Sequence, residues 1–280
     1  MKNIDTYIVE KLKINKDSES KIYKPKNIRE LQELLKKLLS ERGVDANLND
    51  IDITAIKELT YAFQNLDPHN IDISKWDTSH VTDTMYMFEN CKNLKCDVSG
   101  WNLSSCTNMH GMFTGCREFD CDLSKWDVSK VLDFAEMFHM CHKFNGTGLD
   151  KWNTKNGIFM NQMFAECEEL ETDLSSWDVS NVGYMEDMFL GCKNFESDLS
   201  SWDVSGVSNM NRMFRGCTWF ESDLSSWDTS SLRTMNSMFK GCKNFNSDLN
   251  GWNIENVFDM RDVFDGCKCM DIPDWYQKED

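Results

Sequence analysis

A tryptophan recurs at a fixed spacing through most of this 280-residue chain. Neighbouring members of the series are 25 residues apart, with a single gap of 26, at Trp76, Trp101, Trp126, Trp152, Trp177, Trp202, Trp227 and Trp252. A phenylalanine follows each of them after twelve residues, and a cysteine follows three residues later. A period of this length is typical of a solenoid, in which each repeat forms one coil and stacks on the next.

The pattern inside one repeat predicts a strand followed by a helix. In residues 198–220, the first half has the spacing of a leucine-rich-repeat strand, with its apolar positions at Leu199, Trp202, Val204 and Val207. From Val207 to Cys217 the apolar residues then recur at intervals of three and four, which predicts a short helix with Ser205 as its N-cap. The sequence therefore predicts an α/β solenoid of nine strand-helix coils.

The repeat also sets the expected organisation of the chain. The solenoid is predicted over residues 47–270, with a degenerate first coil in which Ile51 replaces the tryptophan. Residues 27–46 predict a helical N-terminal cap, because a leucine stripe lies between a capping asparagine and Gly43. Residues 271–280 are predicted to cover the last coil as a C-terminal cap. Residues 1–26 are interpreted as a separable arm and linker.

The recurring motif D-L-S-x-W-D-V-S-x-V-x-x-M-x-x-M-F resembles the BspA-like leucine-rich-repeat family over about four-fifths of the chain. Members of that family are chiefly surface or secreted proteins of bacteria and protists that engage other proteins. The resemblance therefore implies a leucine-rich-repeat fold and a role in recognition. It implies no catalytic residues.

The formal net charge of -17 is distributed unevenly. Residues 1–45 hold 11 Lys and Arg against 8 Asp and Glu, so the acidic excess lies in the repeats. Such a surface repels phosphate backbones and anionic membranes, and a basic or neutral protein partner is expected instead. The charged N-terminus lacks the apolar core of a secretion signal, which favours the cytoplasm. A virion or cell-surface location reached by a non-classical route is the alternative.

The thiols and imidazoles give no clear chemical site. One cysteine per repeat falls on the predicted apolar stripe, so this column is expected to be buried. Cys96 and Cys121 occupy one position in adjacent repeats, where they could form a disulfide under oxidising conditions or remain reduced thiols. Neither a hydrolase triad nor a phosphate-binding glycine loop is present in the sequence. We therefore expect no enzyme activity, cofactor or metal.

Candidate binding residues are those that break or decorate the repeat. Aromatic side chains that the motif does not require are expected to be partly exposed, namely Tyr86, Phe159, Tyr184, Trp219 and Phe258, with Trp219 the strongest candidate. A line of Asp and Asn follows the tryptophans and includes Asp127, Asp178, Asp203 and Asp228. These carboxylates could bind a basic partner or a cation. Alternatively, they accept hydrogen bonds from turn amides in the next coil.

The leading hypothesis from sequence is a non-enzymatic protein–protein recognition scaffold with an extended acidic surface. The alternative is a structural or accessory component of a larger assembly, such as a bacteriophage particle or a cell surface, anchored by the N-terminal arm.

Overall fold

The computed structural model describes residues 22–268 and 271–277, so the arm predicted over residues 1–26 lies mostly outside the described residues. Within them there is one α-helix, α1, over Ile28–Arg42, and one short 3-10 helix over Leu149–Lys151. No helix in this part of the chain has the length and apolarity needed to cross a membrane. The remainder is built from turns that repeat with the period of the sequence.

The turns wind into a solenoid whose coils pair in parallel. One residue in each coil forms a parallel bridge with its equivalent in the next, in a column that runs through Glu58, Asp83, Asn108, Asp133, Phe159, Tyr184, Asn209, Thr234 and Asp259. This column passes through nine coils, and the predicted repeat solenoid is confirmed. The one-residue insertion in the fifth coil is absorbed at the 3-10 helix, because Trp152 still enters the core.

The predicted helix in each coil is not present. Over residues 208–216, Ser208 N donates to Gly183 O of the preceding coil, and every second amide from Met210 onward donates to a carbonyl of the next coil, as in Arg212 N to Asn236 O at 2.8 Å and Phe214 N to Met238 O at 3.0 Å. Arg212 and Gly216 have positive φ angles of 55° and 82°, which an α-helix cannot contain. We call this stretch, and its equivalent in every coil, the ladder segment.

The predicted strand is also replaced, in this case by two turns. Trp202 N donates to Leu199 O and Val207 N donates to Val204 O, so the chain reverses twice within ten residues. Asp203 accepts hydrogen bonds from the amide and hydroxyl of Ser205, which places Ser205 inside a turn and not at a helix N-cap. Turns of this kind direct apolar residues inward at intervals of two and three residues, which is why their spacing resembles that of helices and strands.

Columns of identical side chains fill the core. The phenylalanine column stacks with ring centroids 5.0 Å apart between Phe63 and Phe88 and 5.7 Å apart between Phe214 and Phe239. Each buried tryptophan donates its indole Nε1–H to a carbonyl of the preceding coil, as Trp202 does to Leu174 O at 3.0 Å. The indole is therefore satisfied inside the core, where an unpaired N–H would be costly.

The thiols of the cysteine column, like the indoles, bond to carbonyls of the preceding coil. Cys217 Sγ lies 2.9 Å from Phe189 O, and the equivalent thiol donates to the equivalent carbonyl in the coils on either side. Burial raises the pKa of these thiols well above the ordinary value, as for Cys192 and Cys242. They are thus protonated hydrogen-bond donors in the core, and the sequence pattern had predicted only their burial.

Both ends of the stack are covered. Helix α1 lies on the first coil with Leu31, Leu35 and Leu38 buried, and the Asn27 side chain caps it by accepting from Glu30 N. Tyr23, assigned to the linker by sequence, forms a parallel bridge with Ile51 and so belongs to the fold. At the other end, Trp275 donates its indole N–H to Leu249 O at 2.8 Å. Trp275 thereby continues the tryptophan column beyond the last full coil.

The ladder geometry predicts different outcomes for two glycine-to-alanine substitutions. Gly216→Ala places a Cβ on a residue with φ of 82°, and we expect a loss of roughly 1 kcal/mol in the free energy of unfolding. Urea unfolding followed by circular dichroism measures it.

The matched control is Gly206→Ala in the same coil. A Cβ there would meet only ordinary contacts, the nearest being Ser180 O at 3.7 Å, and the φ angle is not positive. We expect stability to be unchanged or raised by about 0.5 kcal/mol, because alanine has fewer unfolded conformations. Equal losses in both variants would contradict the proposed role of the left-handed residue.

Candidate functional site

The ladder segments form one face of the solenoid, and a group of apolar side chains is exposed near its middle. Leu132 is 43% exposed, Ile158 and Phe159 are each 39% exposed, and Tyr184 is 49% exposed. They lie in three successive coils, because Ile158 N donates to Leu132 O and Phe159 bridges Tyr184. We call these four residues the central apolar patch. The rings of Phe159 and Tyr184 stack at 6.3 Å with an interplanar angle of 12°.

A cluster of titratable side chains adjoins this patch through Asp133, the bridge partner of Phe159. His110 Nδ1 lies 3.3 Å from both carboxylate oxygens of Asp133, and His110 Nε2 lies 2.8 Å from Tyr86 Oη. Tyr86 Oη also donates to Glu136 Oε2 at 3.3 Å. We call Tyr86, His110, Asp133 and Glu136 the histidine cluster. All four side chains are partly buried.

The pKa values of His110 and Tyr86, the two members of the cluster that are not carboxylates, are both raised. The hydrogen bond to Asp133 raises the pKa of His110, against the opposing effect of burial, and the charges of Asp133 and Glu136 raise it further. Burial and the Glu136 charge raise the pKa of Tyr86 to about 12. The tyrosine is therefore protonated at neutral pH, while the imidazole gains a proton more readily than an exposed histidine.

The cluster has one hydrogen-bonding arrangement for the neutral form of His110 and another for the charged form. When the imidazole is neutral with its proton on Nδ1, it donates to Asp133 and Nε2 accepts from the Tyr86 hydroxyl. When it is charged, Nε2 becomes a donor, and the hydroxyl can turn to Glu136 without the oxygen moving. The cluster can therefore hold or release one proton with little rearrangement.

Tyr86 reaches His110 because its ring lies over a residue without a side chain. A Cβ on Gly111 would stand 2.2 Å from the Tyr86 ring, so only glycine leaves room for it. On the other side the ring stacks on Tyr61 at 5.6 Å. Tyr86 is partly exposed, as the sequence predicted, but its hydroxyl is used within the protein.

The other two predicted aromatic residues lie apart from the central apolar patch. Trp219 is 51% exposed and lies on the turn that follows the ladder segment of its coil, beside Glu171, Asn194 and Glu196. Phe258 is 76% exposed in the ninth coil, where its amide donates to Arg233 O. The structure therefore brings together Phe159 and Tyr184, with Tyr86 nearby, and separates Trp219 and Phe258 from them.

The line of aspartates after the tryptophans lies on the turn side of each coil. The carboxylates of Asp127, Asp178, Asp203 and Asp228 are exposed. Each accepts from the amide of the serine two residues later, as Asp178 does from Ser180 N at 3.1 Å and Oγ at 2.6 Å. These hydrogen bonds lower the pKa of Asp178. The sequence-based alternative of a bond to the next coil was wrong, because the acceptor closes a turn in its own coil.

Cys96 and Cys121 are both free thiols. Cys96 is buried, whereas Cys121 is partly exposed and its thiol lies 3.8 Å from Asp97 Oδ1. Burial raises the pKa of Cys121, so this thiol is less reactive than an exposed one.

Sequence reasoning missed five members of the two groups, namely Leu132, Ile158, His110, Asp133 and Glu136. Leu132 and Ile158 occupy positions that are polar in most other coils. Their proximity follows only from the pairing of adjacent coils in the ladder segments. His110 lacked an evident partner because Tyr86, Asp133 and Glu136 lie in other coils. The available signal was the position within the repeat: residues about 25 apart become neighbours.

The raised pKa of His110 predicts a pH-dependent contribution to stability. This contribution is fully present below the unfolded pKa of about 6.5 and is lost as the pH rises through the higher folded pKa. We therefore expect His110→Gln to destabilise the protein more at about pH 5.5 than at about pH 8.5. Chemical unfolding of wild type and variant at both pH values measures this difference.

Repeating the measurement in an Asp133→Asn variant tests whether Asp133 causes this pH dependence. In Asp133→Asn, the amide oxygen can still accept from Ala135 N, but the negative charge next to His110 is absent. The pH dependence of the His110→Gln effect should shrink there. An unchanged dependence would show that another group is responsible.

Three comparisons place the chain among known proteins. A family profile described as "Mycoplasma protein of unknown function, DUF285" matches residues 29–147, 121–215 and 185–279. No curated protein matches the chain. A crystal structure of a leucine-rich repeat protein from Bacteroides ovatus ATCC 8483 is 15% identical, with a TM-score of 0.28, over 78% of this chain and 70% of that one.

The structural similarity is too low to inform the function, and the resemblance to BspA-like repeats stays an interpretation of the motif. The family profile, by contrast, covers all the coils and most of helix α1 in overlapping matches. On that coverage, the chain belongs to the family described as Mycoplasma protein of unknown function, DUF285.

Proposed function

We propose that this protein is a non-enzymatic protein-recognition scaffold and that the central apolar patch is its main contact surface. The observation that carries the proposal is the patch itself. Leu132, Ile158, Phe159 and Tyr184 expose apolar side chains in three successive hydrogen-bonded coils, whereas most apolar residues of the repeats are buried. Contiguous exposed apolar groups surrounded by polar residues are typical of protein–protein contact sites.

The backbone beneath the patch supports this use. Ile158 N donates to Leu132 O at 2.8 Å, and the bridges from Asp133 through Phe159 to Tyr184 hold the neighbouring coils in register. The side chains therefore stand on a hydrogen-bonded ladder and not on a loose loop. A surface that is ordered before binding loses less conformational entropy when a partner docks.

The surrounding charges favour a partner with basic groups beside an apolar contact. Asp133 and Glu136 border the patch on one side, and Glu186 lies two residues after Tyr184. The chain as a whole carries a net charge of -17. Electrostatic attraction would guide a basic protein surface to the patch, and the same charge disfavours nucleic acid.

We also propose that the protein has no catalytic activity. The pair of groups that most resembles a nucleophile and its base is Tyr86 and His110. The pKa of Tyr86 is raised to about 12, so its hydroxyl is a poor nucleophile at neutral pH. This pair therefore supports a hydrogen-bonded structural role for the histidine cluster. The alternative of an assembly component anchored by the N-terminal arm, residues 1–26, rests mostly on residues outside the described ones, and no observation favours it.

The proposal predicts that the two stacked aromatic rings are required for partner capture. We expect the double variant Phe159→Ser/Tyr184→Ser to bind any captured partner at least roughly tenfold more weakly, because buried aromatic contacts dominate interface energies. Affinity capture from cells of the source organism identifies the partner, and titration of the purified pair measures the affinity.

Phe258→Ser is the matched control. It removes an exposed aromatic ring from the same face in the ninth coil, away from the patch. The control should retain the affinity of wild type, and both variants should unfold at the wild-type denaturant concentration. Equal affinity in wild type and the double variant would exclude the central apolar patch as the contact surface.

A further inference from the structure

Trp219 differs from the tryptophans of the core. Those of the repeating column are buried, with the indole N–H bonded to a carbonyl of the preceding coil, whereas Trp219 is 51% exposed. Its position is occupied by Asn194 in the preceding coil and by Asn244 in the next, so the stacking of coils does not require an aromatic ring there. One side of the indole is available to a ligand.

The ring forms part of a concavity on the solenoid surface. This concavity has a volume of about 420 Å³ and is lined by Glu171, Asn194, Glu196 and Trp219. Asn194 Nδ2 donates to Glu171 Oε1 at 3.2 Å, which orients that carboxylate. The space thus combines an aromatic surface, two carboxylates and an amide drawn from three successive coils.

The two carboxylates have no cationic partner within the described part of the chain. Lys193, the basic residue closest in sequence to Glu196, forms an ion pair with Glu168 at 2.9 Å. Neither Glu171 nor Glu196 forms an ion pair with any lysine, arginine or histidine of residues 22–268 or 271–277. The negative charge of the concavity is therefore not neutralised by these residues.

The stacking of coils strengthens this negative charge. Glu171, Glu196 and Glu221 occupy one position in three successive coils, whose backbones lie about 4.8 Å apart if spaced as neighbouring strands. Like charges at this separation repel each other, and a bound cation would relieve the repulsion. The face of an indole also attracts cations, more strongly than the ring of phenylalanine or tyrosine.

We propose that this concavity binds an organic cation, either an alkylammonium or a guanidinium group, against the face of Trp219. Glu196 and Glu171 accept its hydrogen bonds, and the indole contacts its apolar stem and its charge. Such a group is supplied by a lysine or arginine side chain of a protein or by a free polyamine. The site is separate from the central apolar patch, so each proposal can fail without the other.

The test follows the indole N–H resonance of Trp219 by NMR, assigned by its loss in Trp219→Phe. Wild-type protein is titrated with Nα-acetyl-lysine methylamide, Nα-acetyl-arginine methylamide and spermidine. The neutral control ligand is the lysine compound acetylated on Nζ. We expect a saturable shift with the cationic ligands and none with the neutral one. Tighter binding of the amino-acid derivatives than of spermidine would identify a protein side chain as the source, and the reverse order a free polyamine.

Charge-matched variants separate the site from general attraction to an acidic protein. Glu196→Gln should weaken binding roughly threefold or more, whereas Glu255→Gln, which removes one exposed carboxylate outside the concavity, should leave it unchanged. Trp219→Leu retains the carboxylates and should also weaken binding, measured by calorimetry. A resonance that does not shift in wild type, or equal weakening in Glu196→Gln and Glu255→Gln, would overturn the proposal.

Discussion

The fold depends on the hydrogen bonds that join each ladder segment to the next. Amides two residues apart donate to carbonyls 24 residues further along the chain, so that one coil serves as the template for its neighbour. This register places equivalent side chains of adjacent coils in contact. A continuous core follows without long helices or strands, because each residue column extends through the stack.

The same register explains why the core side chains recur so strictly. A tryptophan donates to a carbonyl of the preceding coil, and a buried thiol does the same from the other side of the core, as Trp202 and Cys217 do. Replacing either residue removes its contact with the equivalent side chains in the two adjacent coils. The two ends of the stack are covered by different elements. Helix α1 covers the first coil with leucines, and Trp275 continues the indole column at the last.

The register also concentrates the surface features proposed for function. Residues that are isolated in sequence become neighbours when they differ by about 25 positions, as Leu132, Ile158 and Tyr184 do. The histidine cluster joins residues from three coils, and the concavity beside Trp219 draws on three others. The surface features that distinguish one coil from another therefore arise from departures of single coils from the repeat, on a nearly uniform backbone.

The sequence by itself determined the solenoid, its period, the buried columns of tryptophan and cysteine, and the capped helix after Asn27. These follow from recurrence and from local capping, both of which are visible along the chain. The coil interior and the surface sites were decided only by tertiary structure. A spacing of three and four fits a helix and a series of turns equally well, and the bonds from Arg212 and Gly216 to the next coil select the turns. His110 found its partners in the same way, because Asp133 and Tyr86 approach it only when the coils stack.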